Sequence, residues 1–362
     1  MSVVTLKAGI KTAIEAATGA DQTIFYTTKG QPCYFNKIPK FDMSIIDASL
    51  SGTHPAFIVN GVEKDFIYVG TYHTTVISGE AVSQPYQIPT AMSISTALAT
   101  AKASNAAWRA IGNSEYMAAA FLGLSQGGLN LGCTSGTGVD AKGTYTAPAL
   151  VSGAGGATWR ANNKYDGTSD LTGLMNHFML GVRFMKGEVQ VLTDFNAASY
   201  TTYAAYMASE NWKAIDAETG AFITPTFTGT IAAGDYVPTT EKSVRLKVGT
   251  ANTTDAYTLV HPLWTQILST WFVSTTKPVL APAINVLKRM GIYPSTLSDC
   301  NSALGGNNQN TCSVSETIMC HSPFRGGSSS LGAAAGVFYY AGTLSTGDSA
   351  LPNVGSRLVY IP

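Results

Sequence analysis

Between Phe324 and Tyr340 the chain reads FRGGSSSLGAAAGVFYY. Gly326, Gly327, Gly332 and Gly336 pin the backbone at short intervals, while the residues between them follow neither a helical period nor strand alternation. Further on, NVGSRLVYIP closes in an apolar run that reads as a strand. A segment this rigid and this irregular fits a loop held between two fixed strands, a place where a fold shows side chains to a partner.

The rest of the chain supplies elements to hold such a loop. Leu6, Ile10, Ala13, Ile14 and Ala17 fall at helical spacing within Val4 to Thr18, and Gly19 stops them. TIFYTTKGQPCYFNKIPKF alternates and turns at Lys29-Gly30. Asn60-Gly61 lies between two apolar runs, a strong hairpin signal because both turn positions need positive φ. SISTALATAKASNAAW and NSEYMAAAFLGL read as helices, the second with Asn113 as N-cap and Glu115 in the first turn, where the dipole favours an acid. Residues 123–170 are rich in Gly, Ser, Thr and Asn without a period and read as a long structured loop. GVRFMKGEVQVL gives a hairpin at Lys186-Gly187, YTTYAAYMASENWKAI a short helix, and APAINVLKRMG a helix with Pro282 in its first turn and Gly291 at its end. These readings predict an α+β fold with abundant loop. Residues 1–50 form a small helix and hairpin module suited to attachment, 51–362 the main domain, and 219–260 a loop or extended insertion within it.

Charge narrows the function. Asp, Glu, Lys and Arg make up 12% of the chain and the formal net charge is zero, against ~25% charged residues in ordinary soluble domains. Either the surface is rich in Ser, Thr, Gly and Asn, as in many secreted proteins, or much of it is covered by other subunits. No Lys/Arg cluster offers a footprint for nucleic acid. No apolar run is long enough to span a membrane, and MSVVTLKAGIKTAIEAATG lacks the apolar core and cleavage site of an export signal. The chain is therefore expected neither to insert in a membrane nor to be exported by a standard signal.

Motifs for chemistry are weak. Cys33, Cys133, Cys300, Cys312 and Cys320 fit no zinc template. A disulfide among the last three suits an oxidising location, and buried free thiols are the plainer reading. Gly123-Leu124-Ser125-Gln126-Gly127 matches the GxSxG of serine hydrolases, but a helix precedes it and an aperiodic loop follows, the reverse of a nucleophile elbow. His54, His73, His177, His261 and His321 form no metal-binding pair. Asp166 and Asp170 lie four apart in YDGTSDLTG, where a cation or, more simply, an Asx turn fits. No catalytic residue, metal or cofactor is expected.

Several segments, in order, resemble one family. WRAIGNSEYMAAA (Trp108 to Ala120) resembles the W-R-L-P-T-x-x-E-W-x-x-A-A helix entry of the formylglycine-generating-enzyme-like, sulfatase-modifying branch of the C-type lectin fold. YDGTSDLTGL resembles its G-x-x-D-L-x-G-N-V-W-E-W segment, and FRGGSSSLGAAAGVF with NVGSRLVY its terminal R-G-G-S-W … N-x-G-F-R segment. IPKF, HPAFIVNGVEKDFIYVG, WKAI and the RGGS-to-AGVF run, in this order from Ile38 onward, resemble more closely a phage and prophage subgroup. That subgroup includes variable proteins diversified by retroelements and is akin to phage tropism determinants. Departures are specific. Members that make formylglycine bind copper through cysteines just after RGGS, where this chain has Ser329, Ser330 and Leu331; His177-Phe178-Met179 replaces WEW, and Ser329 replaces a tryptophan.

The resemblance implies a C-type lectin-like fold in which Arg325, Gly326, Gly327, Gly336, Val337, Phe338, Asn353, Gly355, Arg357 and Leu358 are framework. Ser329, Ser330, Leu331, Ala333, Ala334, Tyr339, Tyr340, Thr343, Leu344 and Asp348 would face outward as the contact surface, with the two tyrosines as the main anchors. Strand alternation would let only one of those tyrosines point out. The implied function is non-enzymatic: a virion protein at the phage surface, made in the host cytoplasm, that binds a host-surface receptor, protein or glycan, as a tail fibre or tip. The alternative is a structural or decoration protein of capsid, collar or tail that turns the same face to other virion proteins. Homo-oligomers, trimers by analogy, are expected in either case.

Overall fold

The strand Leu358–Tyr360 lies between Phe66–Gly70 and Trp108–Ala110, so residues far apart in the chain complete one sheet. This is seen in a computed structural model that describes residues 3–140, 146–147, 149–231, 235–246, 272–274, 276–297, 312–314, 319–320, 323–342 and 348–362. The first sheet is antiparallel, in the order Gln22–Tyr26, Pro32–Pro39, Phe66–Gly70, Leu358–Tyr360, Trp108–Ala110. A second sheet runs Phe222–Ile223, Trp212–Ile215, Glu188–Leu192, Val182–Met185, Met319–Cys320, with Arg245–Leu246 and Phe272–Val273 appended beside Glu188. The third runs Cys312–Val314, Gly336–Gly342, Phe324–Gly326, Asn176–Phe178, Val354–Gly355. The fold is α+β, dominated by sheet, and among the described residues no sheet closes into a barrel.

Helices are placed at α1 (Val3–Ala17), α2 (Ile94–Ser104), α3 (Asn113–Ser125), α4 (Tyr203–Met207) and α5 (Ala281–Arg289). Most of α3 is buried, from Tyr116 through Phe121 without a break. Its alanines, Ala118 to Ala120, let neighbouring elements approach closely on every side, so a helix without a polar face is stable only at the centre. Its core cluster contains Ile67 and Val69 of the first sheet, Phe184 and Val189 of the second, and Phe338 of the third. The hairpins at Lys29-Gly30, Asn60-Gly61 and Lys186-Gly187 form as expected.

Three local expectations are corrected. Gly112, not Asn113, is the N-cap of α3; the Asn113 amide donates instead to the Met290 carbonyl (3.1 Å), tying α3 to the end of α5, while Glu115 accepts from the Gly112 N–H (2.9 Å). The helix expected through WKAI ends at Met207, and Trp212–Ile215 is a strand. Trp212 is buried there, its indole N–H donating to the Tyr206 carbonyl (2.9 Å), and β-sheet pairing overrides the helical composition. Residues 22–50 do not stand apart: Phe35, Ile38, Met43, Ile46 and Leu50 belong to the same cores as the main domain. Of the 219–260 insertion, the described part adds strands to the edge of the second sheet and a short hairpin of Phe227–Thr228 with Val237–Pro238; residues 247–260 lie outside the described residues.

Candidate functional site

The glycine-rich segment leaves the third sheet through a bulge between Arg325 and Gly326. Gly326 and Gly327 both take positive φ (+89° and +81°), and a Cβ on Gly326 would come within 2.5 Å of the Leu171 carbonyl oxygen. Glycine is required there on both counts. The loop is then tied from outside: the Ser329 N–H donates to the Leu174 carbonyl (3.3 Å) and the Gly332 N–H to the Thr134 carbonyl (2.8 Å) before the single turn Gly332–Ala334 leads into Gly336–Gly342.

The expected contact residues divide. Ser330 is exposed, and Ser329, Leu331 and Ala334 are half-buried, so these four form an outward rim. Asp348 is exposed but used: its carboxylate accepts from the Ser95 N–H in the first turn of α2 (2.9 Å), a favourable end of the helix dipole. The side chain of Ala333, with Thr343 and Leu344, lies outside the described residues. Tyr339 and Tyr340 are a correction, because neither faces outward. Tyr339 packs with Phe178 and Leu192 in one core cluster, and Tyr340 with Phe184 and Phe338 in another. Both faces of their strand are covered, so alternation carries each ring from one interior to the other.

Beneath the rim, two buried arginines hold the backbone. Arg357 donates to the carbonyls of Gly70 (2.8 Å), Thr71 (2.7 Å) and Ser169 (2.6 Å) and to His177 Nε2 (3.3 Å from Nε). With Nε2 accepting, the His177 proton sits on Nδ1. The His73 ring stacks on His177 at 4.1 Å between centroids. Burial first, then the neighbouring charges, pushes both histidines well below the usual imidazole range, so both are neutral. Arg325 donates to the Met290 carbonyl (3.1 Å) and the Gly291 carbonyl (3.3 Å), with the Tyr116 and Tyr340 rings at 5.7 and 5.9 Å. The framework positions are thus interior except Asn353, which is exposed; Gly355 closes against Met175 and Thr90, and the Asn353 carbonyl accepts from the Asn176 N–H (2.9 Å).

The groups that suggested chemistry have structural employment. Ser125 ends α3 with its hydroxyl on the Leu122 carbonyl (2.7 Å), and a Cβ on Gly123 would overlap the Ala161 carbonyl. The GxSxG match is therefore a helix terminus under a crossing loop. The Asp170 carboxylate is buried and accepts from the Gly153 N–H (2.8 Å) and the hydroxyls of Ser152 (3.0 Å) and Ser169, whereas Asp166 bonds Asn162 (3.2 Å). The two acids serve different loops. His54 accepts from the Ala56 N–H (3.3 Å) and contacts the Arg289 carbonyl (3.2 Å). His261, His321 and Cys300, and the side chains of Cys312 and Cys320, lie outside the described residues, so the disulfide question lies there too. Cys33 and Cys133 are buried free thiols, raised by burial to about 12 and about 11. Among the described residues no three His, Cys, Asp or Glu side chains converge as a metal site.

A cavity of about 210 Å3 opens beside the start of α3, walled by Leu180, Val191 and Phe195. Its acid, Glu115, already carries Arg109 (2.6 Å) on one oxygen and the Gly112 N–H on the other.

A feature that periodicity alone does not reveal lies at α1. This helix docks on the first sheet through charged residues: Lys7 Nζ sits 4.5 Å from the Tyr26 ring centroid, Lys11 Nζ 5.2 Å from that of Phe25, and Glu15 accepts from the Thr23 hydroxyl (2.6 Å). Ile14 is half-buried on that docking side, whereas Val4, Leu6 and Ile10 face away at 77, 53 and 40% exposure, and no residue of α1 whose burial is described is fully buried. The spacing of Leu6, Ile10, Ala13, Ile14 and Ala17 announces the apolar stripe, but not that all of it except Ile14 is left uncovered. No protein-family model matches the chain, and no curated protein matches it.

Proposed function

We propose that this chain is a non-enzymatic component of a phage particle, with a C-type lectin-like domain joined to its neighbours in a homo-oligomer, a trimer, through α1. The observation that carries the reading is the reversed orientation of α1. An amphipathic helix that spends its charged side on its own sheet and shows Leu6 and Ile10 to water is stable in the protomer but incomplete. Burying one such side chain contributes about 1.5–3 kcal/mol, and three copies together make a helical seam of the a/d type. The low charge content fits a surface largely covered by partners. The lectin-like fold is supported by the interior placement of Arg325, Gly326, Gly327, Arg357 and Leu358, the positions that the resemblance makes framework. A reconstruction of the intact particle tests the proposal: α1 is expected against a neighbouring subunit, and α1 standing free in solvent would refute it.

A second reading, adhesion to a host-surface receptor, is favoured by the rim of Ser329, Ser330, Leu331 and Ala334, held rigid from below and open above. With Tyr339 and Tyr340 interior, that rim lacks the aromatic anchors that dominate strong interfaces. Adsorption by particles carrying Ser330→Trp and Leu331→Asp distinguishes the readings, since a receptor face is disrupted by both and an assembly protein adsorbs unchanged.

A further inference from the structure

Arg289, in the last turn of α5, is a half-buried cation without a counter-ion. Among the described residues no carboxylate lies within 4.0 Å of its guanidinium, and the guanidinium makes no hydrogen bond. Burial alone holds it below the usual arginine range. Unlike Nε of Arg325, its nitrogens are not sealed off, so a ligand can reach them. The guanidinium carbon lies 5.8 Å from the Phe222 ring centroid. Phe222 walls the cavity of about 210 Å3 beside the start of α3 and takes no part in the more open hollow over Pro282 and Asn285 that Arg289 also borders, which puts the charge on the cavity side. Ile58, Leu180, Val191 and Phe195 make the other walls largely apolar. The first residues of α3 border the same space, and its N-cap, Gly112, has no side chain to accept from the Ser114 and Glu115 N–H groups, so the positive end of that helix is open as well. The Glu115 carboxylate does not oppose an anion there, because Glu115 is 1% exposed and already held by Arg109 and the Gly112 N–H.

We propose that this cavity binds a small monocarboxylate with an aromatic or branched apolar body, its carboxylate on Arg289 and its body against Leu180, Val191 and Phe195. An apolar chamber with one partly desolvated cation and no free acid selects a ligand of the inverse make-up. A guanidinium takes a carboxylate through two parallel N–H donors, and the pair is stronger here than on an open surface, where water screens it. A neutral ligand leaves the charge unanswered, and phosphate brings no body to displace water from the walls. The volume, below the ~300–1,000 Å3 of drug-sized sites, limits the body to one ring or a short branched chain. The site is independent of α1 and of the Ser329–Ala334 rim.

Isothermal titration of the full chain at neutral pH with benzoate, its neutral isostere benzamide, and acetate tests this. Saturable binding of benzoate is expected, with benzamide and acetate each at least about tenfold weaker. That comparison needs no variant. Arg289→Gln is expected to weaken benzoate at least about tenfold and to bring it level with benzamide. Lys164→Gln, an exposed site with the same change in net charge, is expected to bind as the parent does. No binding of benzoate, equal binding of benzamide or of acetate, unchanged binding by Arg289→Gln, or equal loss in Lys164→Gln overturns the proposal.

Discussion

The segment from Phe324 to Leu358 and helix α1 sort their side chains in opposite ways. The first takes two arginines fully inside, where they serve as cross-braces: Arg357 alone ties the carbonyls of Gly70, Thr71 and Ser169. The second lays its lysines on aromatic rings and leaves Val4, Leu6 and Ile10 in water. In the first region the buried arginines find carbonyl partners within the protomer, with Arg325 Nε alone among their nitrogens unpaired, so the platform is largely finished within one protomer. In the second, Val4, Leu6 and Ile10 find no apolar cover among the described residues. The lesson is that placement of charge, more than exposure of any one residue, separates the part of this molecule that is complete from the part that awaits a partner.

If the platform is a finished interior, damage to its braces falls on folding. Arg357→Met removes the side-chain donor of the Gly70 and Ser169 carbonyls and of His177, leaves Thr71 with the Ser169 N–H only, and is expected to lower stability by about 5 kcal/mol. Urea unfolding measures this, with Arg357→Lys recovering only part of the loss because an ammonium cannot reach the carbonyls as a fork. Acid comes next. His73 and His177 have folded pKa values depressed by burial from 6.5, so the native state keeps them neutral while the unfolded chain takes up protons below that pH. Their contribution is full above about pH 6.5 and is lost as the pH falls below it, up to about 4 kcal/mol for the pair between pH 7 and pH 5. Urea midpoints across that range should show the slope, and His177→Gln, which keeps an acceptor for Arg357, should reduce it by about half. Gly326→Ala is expected to cost about 2 kcal/mol, from positive φ and the nearby Leu171 carbonyl. A thermal shift of a fraction of a degree would mean that the bulge is not fixed.

The smallest effect on protomer stability belongs to α1, and it sharpens the contrast most. Leu6→Glu/Ile10→Glu should change urea unfolding of the protomer by less than about 0.5 kcal/mol, yet turn an oligomer into a monomer in sedimentation. A monomeric parent protein, or a variant that sediments with its parent, would erase the distinction between the two regions.

What could be read from residues alone follows from how local the cause is. The turns at Asn60-Gly61 and Lys186-Gly187 were legible because positive φ is demanded at both positions, and the pairs show +50° and +75°, and +49° and +83°. Helix α5 was legible from Pro282 and Gly291, whereas the framework role of Gly326 and Gly327 came from the resemblance. Tyr339 and Tyr340 were not, because alternation tells which residues share a face and not whether a second core, here built around Phe178 and Leu192, covers the other one. Arg357 shows why the site resisted too: its hydrogen-bond partners lie nearly three hundred residues earlier at Gly70 and nearly two hundred earlier at Ser169. The docking side of α1 depends on Phe25 and Tyr26, whose rings happen to accept cations.

The place of Leu358–Tyr360 in the middle of the first sheet bears on how the protein is made. Phe66–Gly70 and Trp108–Ala110 do not pair with each other and are joined in the sheet only when that strand arrives. With roughly 250 residues still to be translated after Ala110, at ~5–20 residues per second, two bare edges wait on the ribosome for tens of seconds. Such edges invite pairing with a stranger. Synthesis of this polypeptide therefore has a window in which chaperone capture competes with aggregation, and it closes only when the last strand slots home.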